Sequence, residues 1–174
     1  MTPAHMVAHL VEQASAAGVL MATAESCTGG MVAAAITDIP GSSVVLDRGF
    51  VTYSNAAKQD MLGVRADTLA TFGAVSEQVA IEMAEGALRH SRAGLAVSIT
   101  GIAGPGGSEF KPEGRVCFGL AVTGHPTRVE TIEFGAIGRG KVRTLARDHA
   151  QELLLHGLSL IARKTGNTPI KPPN

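Results

Sequence analysis

The chain has 174 residues, 45% of them hydrophobic, and its 15 basic and 15 acidic residues give a formal net charge of zero. This length predicts one compact domain with a sizeable core, and the balanced charge disfavours a nucleic-acid-binding protein, which usually presents a basic face. Aromatic residues make up only 3% of the chain and Trp is absent, which also argues against a surface that stacks single-stranded bases.

The spacing of the cysteines and the lengths of the apolar runs exclude further classes of protein. Cys27 and Cys117 are far apart and belong to no Cys-x-x-Cys or Cys/His pattern, so we expect neither a disulfide framework nor a zinc site. We find no apolar run of about 18 residues that would predict a membrane span. The first residues also lack the apolar segment of a signal peptide. We therefore expect a cytoplasmic protein that does not contact membranes.

Apolar periodicity and turn residues predict an alternating order of elements. Helices are expected over residues 4–16, 31–37, 55–62, 67–71, 77–90 and 139–164, the last ended by Gly166. Strands are expected over residues 19–23, 44–53, 95–100, 116–122 and 128–134, the final two as a hairpin. This order predicts an α/β fold: one three-layer α/β/α domain with a mixed sheet over residues 1–167, followed by a flexible tail over residues 168–174.

The first candidate site is the segment AESCTGG, residues 24–30, between a predicted strand and a predicted helix. A tight glycine turn at a helix start presents backbone N–H groups that can bind an anion or a developing oxyanion. Ser26 in such a turn would be exposed and held as a nucleophile. The alternative is that Ser26 or Thr28 only caps the helix.

The second candidate site joins Tyr53, the only tyrosine, to Lys58 in the helix that Ser54 is expected to cap. The helix N-terminus disfavours a cation by only about 0.3–1 kcal/mol, so an uncharged Lys58 would also require burial. A neutral Lys58 could then take a proton from Ser26, directly or through Tyr53. The alternative is a solvated lysine and a half-buried tyrosine.

The third candidate site is the loop TGIAGPGG, residues 100–107, whose four glycines allow close backbone approach to a phosphate. The loop lacks the Gly-Lys-Ser/Thr ending of a Walker A motif, and a plain flexible loop is the alternative. Cys27 is a rival nucleophile beside Ser26. However, the site segments contain no histidine, so we interpret Cys27 as a small turn-filling residue.

Four blocks in the same order resemble the CinA C-terminal domain family over about residues 4–165. They are TAESCTGG at 23–30, GFVTYSN at 49–55 with Lys58, GAVSE at 73–77, and the glycine loop at 100–107. Full-length members carry a further N-terminal domain with metal-dependent nucleotide hydrolysis, and this chain resembles the stand-alone form. The family often has Gly-Asp-Arg at the start of its last helix, where this chain has Ile137–Gly138–Arg139.

The resemblance implies a nicotinamide-nucleotide amidohydrolase that converts nicotinamide mononucleotide to nicotinate mononucleotide and ammonia. It implies Ser26 as the nucleophile, with Tyr53 and Lys58 as the pair that activates it. The expected substrate-binding residues are Cys27, Thr28, Gly29, Gly30, Thr100, Gly101, Gly104 and Arg139. The resemblance further implies an α/β/α domain that assembles as a homodimer or larger oligomer and needs no metal or other cofactor.

Two other functions stay open from the sequence. One is a non-catalytic nucleotide-binding module associated with competence or DNA damage. The other is a hydrolase of a different small amide. If the chain is an enzyme, we expect serine–lysine acyl transfer, with backbone N–H groups between Cys27 and Gly30 holding the oxyanion and the loop from Gly101 holding the phosphoribosyl end of the substrate.

Overall fold

The computed structural model describes residues 1–108 and 110–164. In this part of the chain the helices are α1 (Pro3–Ala17), α2 (Met31–Thr37), α3 (Asn55–Leu62), α4 (Ala66–Phe72), α5 (Glu77–Arg89) and α6 (Arg139–Lys164), with a short 3₁₀ helix at Ser42–Val44. The strands are β1 (Met21–Glu25), β2 (Leu46–Val51), β3 (Leu95–Gly101), β4 (Arg115–Val122) and β5 (Arg128–Glu133). No helix in the described ranges has the length and apolar character needed to cross a lipid bilayer.

The strands form one mixed sheet in the order β2–β1–β3–β4–β5. β1 pairs in parallel with both β2 and β3, whereas β4 is antiparallel to β3 and β5. β1 is buried along its whole length, as expected for a central parallel strand covered by helices on both faces. The hairpin of β4 and β5 is antiparallel, as the sequence predicts.

Two apolar cores on opposite faces of the sheet confirm the three-layer α/β/α prediction. Met21 faces the core formed with α1, α2 and α6. Ala22 and Ala24 face the core formed with α3, α4 and α5. The alternation arises because successive side chains of a strand point to opposite faces.

Two strand boundaries differ from the predictions for local reasons. Gly18 ends α1 with a φ of 64°, and β1 begins at Met21 rather than at residue 19. The predicted strand over residues 44–53 narrows to β2 because Ser42–Val44 form the 3₁₀ helix before it. The predicted helix stop at Gly166, the domain limit at residue 167 and the predicted tail all lie outside the described residues.

The topology determines where chemistry is possible. β1, β2 and β3 are parallel, so their carboxyl ends meet at one edge of the sheet. Ser26 follows β1, Tyr53 follows β2 shortly after its end, and Gly101 ends β3. The three sequence-predicted site segments therefore converge at this edge.

Candidate active site

Ser26 and Lys58 are in direct contact at the carboxyl edge of the sheet. Lys58 Nζ lies 3.2 Å from Ser26 Oγ and donates a hydrogen bond to the Thr52 carbonyl at 2.9 Å. Lys58 is only 1% exposed and Ser26 8% exposed. Ser54 caps α3 by accepting a hydrogen bond from the Ala57 amide, which places Lys58 about one helical turn into α3. The predicted proximity of hydroxyl and amine is present, and the amine is enclosed rather than solvated.

The turn after Ser26 is fixed by backbone hydrogen bonds. The Ser26 amide donates to the Ile99 carbonyl on β3, and the Gly29 amide donates to the Ser26 carbonyl. Gly29 and Gly30 adopt φ values of 58° and 101°, which glycine reaches without the strain that a side chain would add. In the described part of the chain, the Cys27 amide has no backbone or side-chain oxygen acceptor. Its N–H lies against the residue's own thiol, and sulfur is a weak acceptor that a ligand oxygen can replace.

Glu25 has a structural role beside the site that the sequence reasoning missed. Its carboxylate is 1% exposed and accepts hydrogen bonds from the amides of Val32 and Ala33, in the first turn of α2. A carboxylate is favoured at a helix N-terminus, where the amides lack partners in the helix and carry partial positive charge. The available signal was an acidic residue at the end of an otherwise uncharged strand.

Arg143 is a second residue that the sequence reasoning missed. Its Nε donates to the Cys27 carbonyl at 3.0 Å, and its Nη2 donates to the Thr28 carbonyl at 3.4 Å. Arg143 lies on α6 four residues after Arg139, a spacing that puts both side chains on one face of a helix. This spacing was the signal that the sequence offered.

A cleft of about 190 Å³ opens beside Ser26 and Lys58. Its other lining residues are Cys27, Tyr53, Asn55, Ala74, Val75, Thr100, Gly101, Ala103 and Arg139. Of the predicted substrate-binding residues, Cys27, Thr100, Gly101 and Arg139 line the cleft. Thr28, Gly29 and Gly30 shape the adjoining turn instead.

Tyr53 and Arg139 form the mouth of the cleft. Arg139 Nη2 donates to the Tyr53 hydroxyl at 3.0 Å, and Arg139 Nη1 donates to the Gly104 carbonyl at 2.8 Å. Tyr53 is 62% exposed. One guanidinium thus joins the segment after β2 to the glycine loop after β3.

Thr100 and Gly101 form the inner wall of the cleft. The Thr100 hydroxyl donates to the Ala74 carbonyl at 2.7 Å, so its proton is engaged within the protein. A Cβ on Gly101 would lie 3.1 Å from Cys27 Sγ and 2.7 Å from Val116 Cγ2. Glycine fits there because a side chain would collide first with Val116 of β4 and would also crowd Cys27 and the Arg115 carbonyl.

Cys27 is ill-suited to act as the nucleophile. Burial raises the pKa of its thiol from 9.0 to about 12, although its backbone hydrogen bond and the nearby Arg143 charge act in the opposite direction. The reactive form of cysteine is the thiolate, so Cys27 stays protonated and unreactive near neutral pH. This agrees with its interpretation as a small residue that fills the turn.

Comparison with known proteins gives consistent matches along most of the chain. The profile of the CinA C-terminal domain matches residues 4–158. A CinA-like protein of Chlorobium phaeobacteroides is 59% identical over 120 residues, which are 67% of this chain but 29% of the relative, so the chain spans under a third of that relative's length. The nicotinamide-nucleotide amidohydrolase PncC of Escherichia coli K12 is 55% identical over 140 residues, which cover 80% of this chain and 84% of that protein.

The fold has equally clear matches among solved structures. The competence/damage inducible protein CihA from Agrobacterium tumefaciens superposes with a TM-score of 0.86 at 47% identity, covering 88% of this chain and 94% of that chain. A CinA superfamily protein from Klebsiella pneumoniae superposes with a TM-score of 0.87 at 34% identity, covering 92% of this chain and 99% of that chain.

Proposed function

The chain belongs to the CinA C-terminal domain family, and on that premise we propose that it is an amidohydrolase that converts nicotinamide mononucleotide to nicotinate mononucleotide and ammonia. The observation that carries the proposal is the 3.2 Å separation of Lys58 Nζ and Ser26 Oγ inside a cleft. The relative named nicotinamide-nucleotide amidohydrolase supports the choice of substrate, since the two chains match over most of both lengths.

Ser26 acts as the nucleophile and Lys58 as the base. This role requires Lys58 to react as a neutral amine, and its 1% exposure leaves almost no water to solvate an ammonium ion. The neutral amine takes the Ser26 proton as Oγ attacks the carboxamide carbon. The transfer is direct at this distance, and Tyr53 then serves at the mouth of the cleft rather than as an obligatory relay.

The tetrahedral intermediate carries its negative charge on the former carboxamide oxygen. The Cys27 amide is the best placed donor, because it follows the nucleophile, belongs to a residue that lines the cleft and has no oxygen acceptor in the described part of the chain. A preorganised N–H at this position lowers the barrier because its dipole already points at the developing charge.

Ser26 and Lys58 also carry out the release of ammonia and the hydrolysis of the ester. The Lys58 ammonium returns its proton to the carboxamide nitrogen, the C–N bond breaks and ammonia leaves an ester on Ser26. A water molecule then loses a proton to Lys58 and attacks the ester. Cleavage of the acyl–oxygen bond releases the carboxylate, and Ser26 recovers its proton.

The substrate's phosphate binds at the mouth of the cleft. Arg139 is the cation there, and its hydrogen bonds to the Gly104 carbonyl and the Tyr53 hydroxyl hold the guanidinium beside the cleft. Binding energy from the phosphoribosyl end orients the carboxamide against Ser26, so free nicotinamide is expected to be a poor substrate.

Ammonia release from nicotinamide mononucleotide by the purified chain tests the proposal. Turnover that yields nicotinate mononucleotide, together with a transient nicotinoyl ester mapped to Ser26 by mass spectrometry, is the expected result. Saturable binding without ammonia would favour the non-catalytic nucleotide-binding module. Ammonia from another small amide, and none from the nucleotide, would support a different amidohydrolase.

A further inference from the structure

Arg143 is placed to control the backbone beside the proposed nucleophile. Its guanidinium comes from α6, 116 positions away from Cys27 in the chain, and donates to the carbonyls of Cys27 and Thr28. Both bonds are charge-assisted, and the fork of a guanidinium suits two neighbouring acceptors. The side chain is half-buried, so water competes for these carbonyls less than it would on an open surface.

The peptide planes before and after Cys27 are both held by hydrogen bonds, and the Cys27 N–H belongs to the first of them. In a planar trans peptide the carbonyl of one residue and the N–H of the next point in opposite directions. The Ser26 carbonyl accepts the Gly29 amide, so the N–H of Cys27 is turned away from the inside of the turn. On the other side of Cys27, its own carbonyl is held towards α6 by Arg143. Neither plane can rotate without breaking a hydrogen bond.

We infer that Arg143 is a positioning residue that keeps the Cys27 amide aimed at the oxyanion by holding the carbonyls of Cys27 and Thr28. The inference rests on the proposed function, and it adds a device that the nucleophile and base do not supply. Loss of the guanidinium removes the donor to the Cys27 carbonyl and frees the peptide plane that follows Cys27 to rotate, whereas the Thr28 carbonyl still accepts a hydrogen bond from the Met31 amide. An N–H that is misaligned in the transition state lowers kcat, whereas ground-state binding through Arg139 and the glycine loop changes little.

The test uses a reagent that does not depend on the identity of the substrate. Methanesulfonyl fluoride sulfonylates a reactive serine: Oγ bonds to sulfur, the sulfur–fluorine bond breaks, fluoride leaves and the serine proton passes to the base. The rate constant for modification of Ser26 is measured in the wild type and in Arg143→Gln, Arg143→Lys and Arg147→Gln. Arg147 is the matched control, because it lies one turn further along α6 and pairs with Asp148. Circular dichroism and thermal melts check the folding of each variant.

We expect Arg143→Gln to lower both the sulfonylation rate constant and kcat by about 10–100-fold, with KM changed by less than about 3-fold. Arg147→Gln should match the wild type. Arg143→Lys should resemble Arg143→Gln, because one ammonium lacks the fork that holds two carbonyls at once. If Arg143→Gln does not fold, Arg143→Lys carries the comparison.

Three outcomes separate this inference from the proposed function. If Arg143→Gln is sulfonylated as fast as Arg147→Gln, the role of Arg143 is overturned and the amidohydrolase proposal is unaffected. The same conclusion follows if Arg143→Lys has the wild-type rate constant. If the wild type is sulfonylated at Ser26 but releases no ammonia from the nucleotide, the assignment of nicotinamide mononucleotide as the substrate is overturned. The sulfonylation rate constants of the variants still decide the role of Arg143. Absence of both reactions in the wild type overturns both proposals.

Discussion

Lys58 Nζ lies 3.2 Å from Ser26 Oγ, although 32 positions separate the two residues in the chain. β1 and β2 run in parallel, so the chain leaves both strands at one edge of the sheet, and Ser54 then starts α3 at that edge. An amine with 1% exposure beside a hydroxyl is unusual for lysine, which is rarely buried without partners. Lys58 does have partners, including the Thr52 carbonyl that orients it.

Replacement of Lys58 by Met should remove the base and keep much of the side-chain length. We expect kcat for ammonia release at neutral pH to fall by about 10²–10⁴-fold, the range attributed to a positioned acid–base group. Lys141→Met, at an exposed position on α6, is the control. A near-normal kcat for Lys58→Met would exclude Lys58 as the base, just as unchanged turnover of Ser26→Ala would exclude the nucleophile.

Cys27 should make stability depend on pH above about 9. Its folded pKa of about 12 exceeds the ordinary value of 9.0, so the unfolded thiol ionises first as the pH rises. This thiol's contribution to stability is complete below pH 9 and is lost between pH 9 and 12, with a slope of up to about 1.4 kcal/mol per pH unit. Urea unfolding of the wild type and Cys27→Ala at pH 8, 9 and 10 measures it. Identical slopes in the two proteins would contradict the raised pKa.

The effect of Arg139 on kcat/KM should depend on whether the substrate carries a phosphate. We expect nicotinamide riboside to have a kcat/KM about 10–100-fold below that of the mononucleotide, since a charge-assisted contact contributes about 1.5–3 kcal/mol. Arg139→Gln should lower kcat/KM for the nucleotide and change that for the riboside much less. Steady-state kinetics on the four combinations form a double-mutant cycle. Equal kcat/KM for nucleotide and riboside in the wild type would show that the phosphate is not recognised.

Two glycines should respond to alanine in opposite ways. Gly101→Ala brings a Cβ to 2.7 Å from Val116 Cγ2 and 3.1 Å from Cys27 Sγ, so we expect a loss of about 1–3 kcal/mol in the free energy of unfolding. Gly140 lies in α6, and apart from its chain neighbours and the backbone of its own helix nothing lies within 4 Å of where a Cβ would be. Gly140→Ala should therefore be neutral or stabilising, by up to about 1 kcal/mol. Urea denaturation compares them, and equal effects would contradict the crowding at Gly101.

The sequence predicted the order of helices and strands because each element carried its own local signal. Gly18 and Gly63, for example, end α1 and α3 in the left-handed conformation. The boundaries of β1 and β2 were less exact, since hydrogen bonds with neighbouring strands, rather than composition, decide where pairing begins. Assembly as an oligomer and cytoplasmic location stay predictions from the sequence.

Site residues that belong to a local motif could be predicted from the sequence. Residues that reach the site from a distant part of the chain could not. Ser26 and Lys58 belong to glycine-rich or capped segments that a reader of the sequence can single out. Arg143 reaches the Cys27 carbonyl from the other end of the chain, and only the packing of α6 reveals that contact. Glu25 was hidden because its carboxylate is used within the protein, in a role that ordinary acidic residues also perform.

The carboxylate of Glu25 has a consequence for ligand selection. It takes two of the amides at the start of α2, Val32 and Ala33, which is where phosphate groups commonly dock in nucleotide-binding folds. Because the side chain already accepts from these two amides, they are not free to bind a phosphate. In the proposed binding mode the phosphate therefore lies at Arg139, and the carboxamide is the end of the substrate that approaches Ser26.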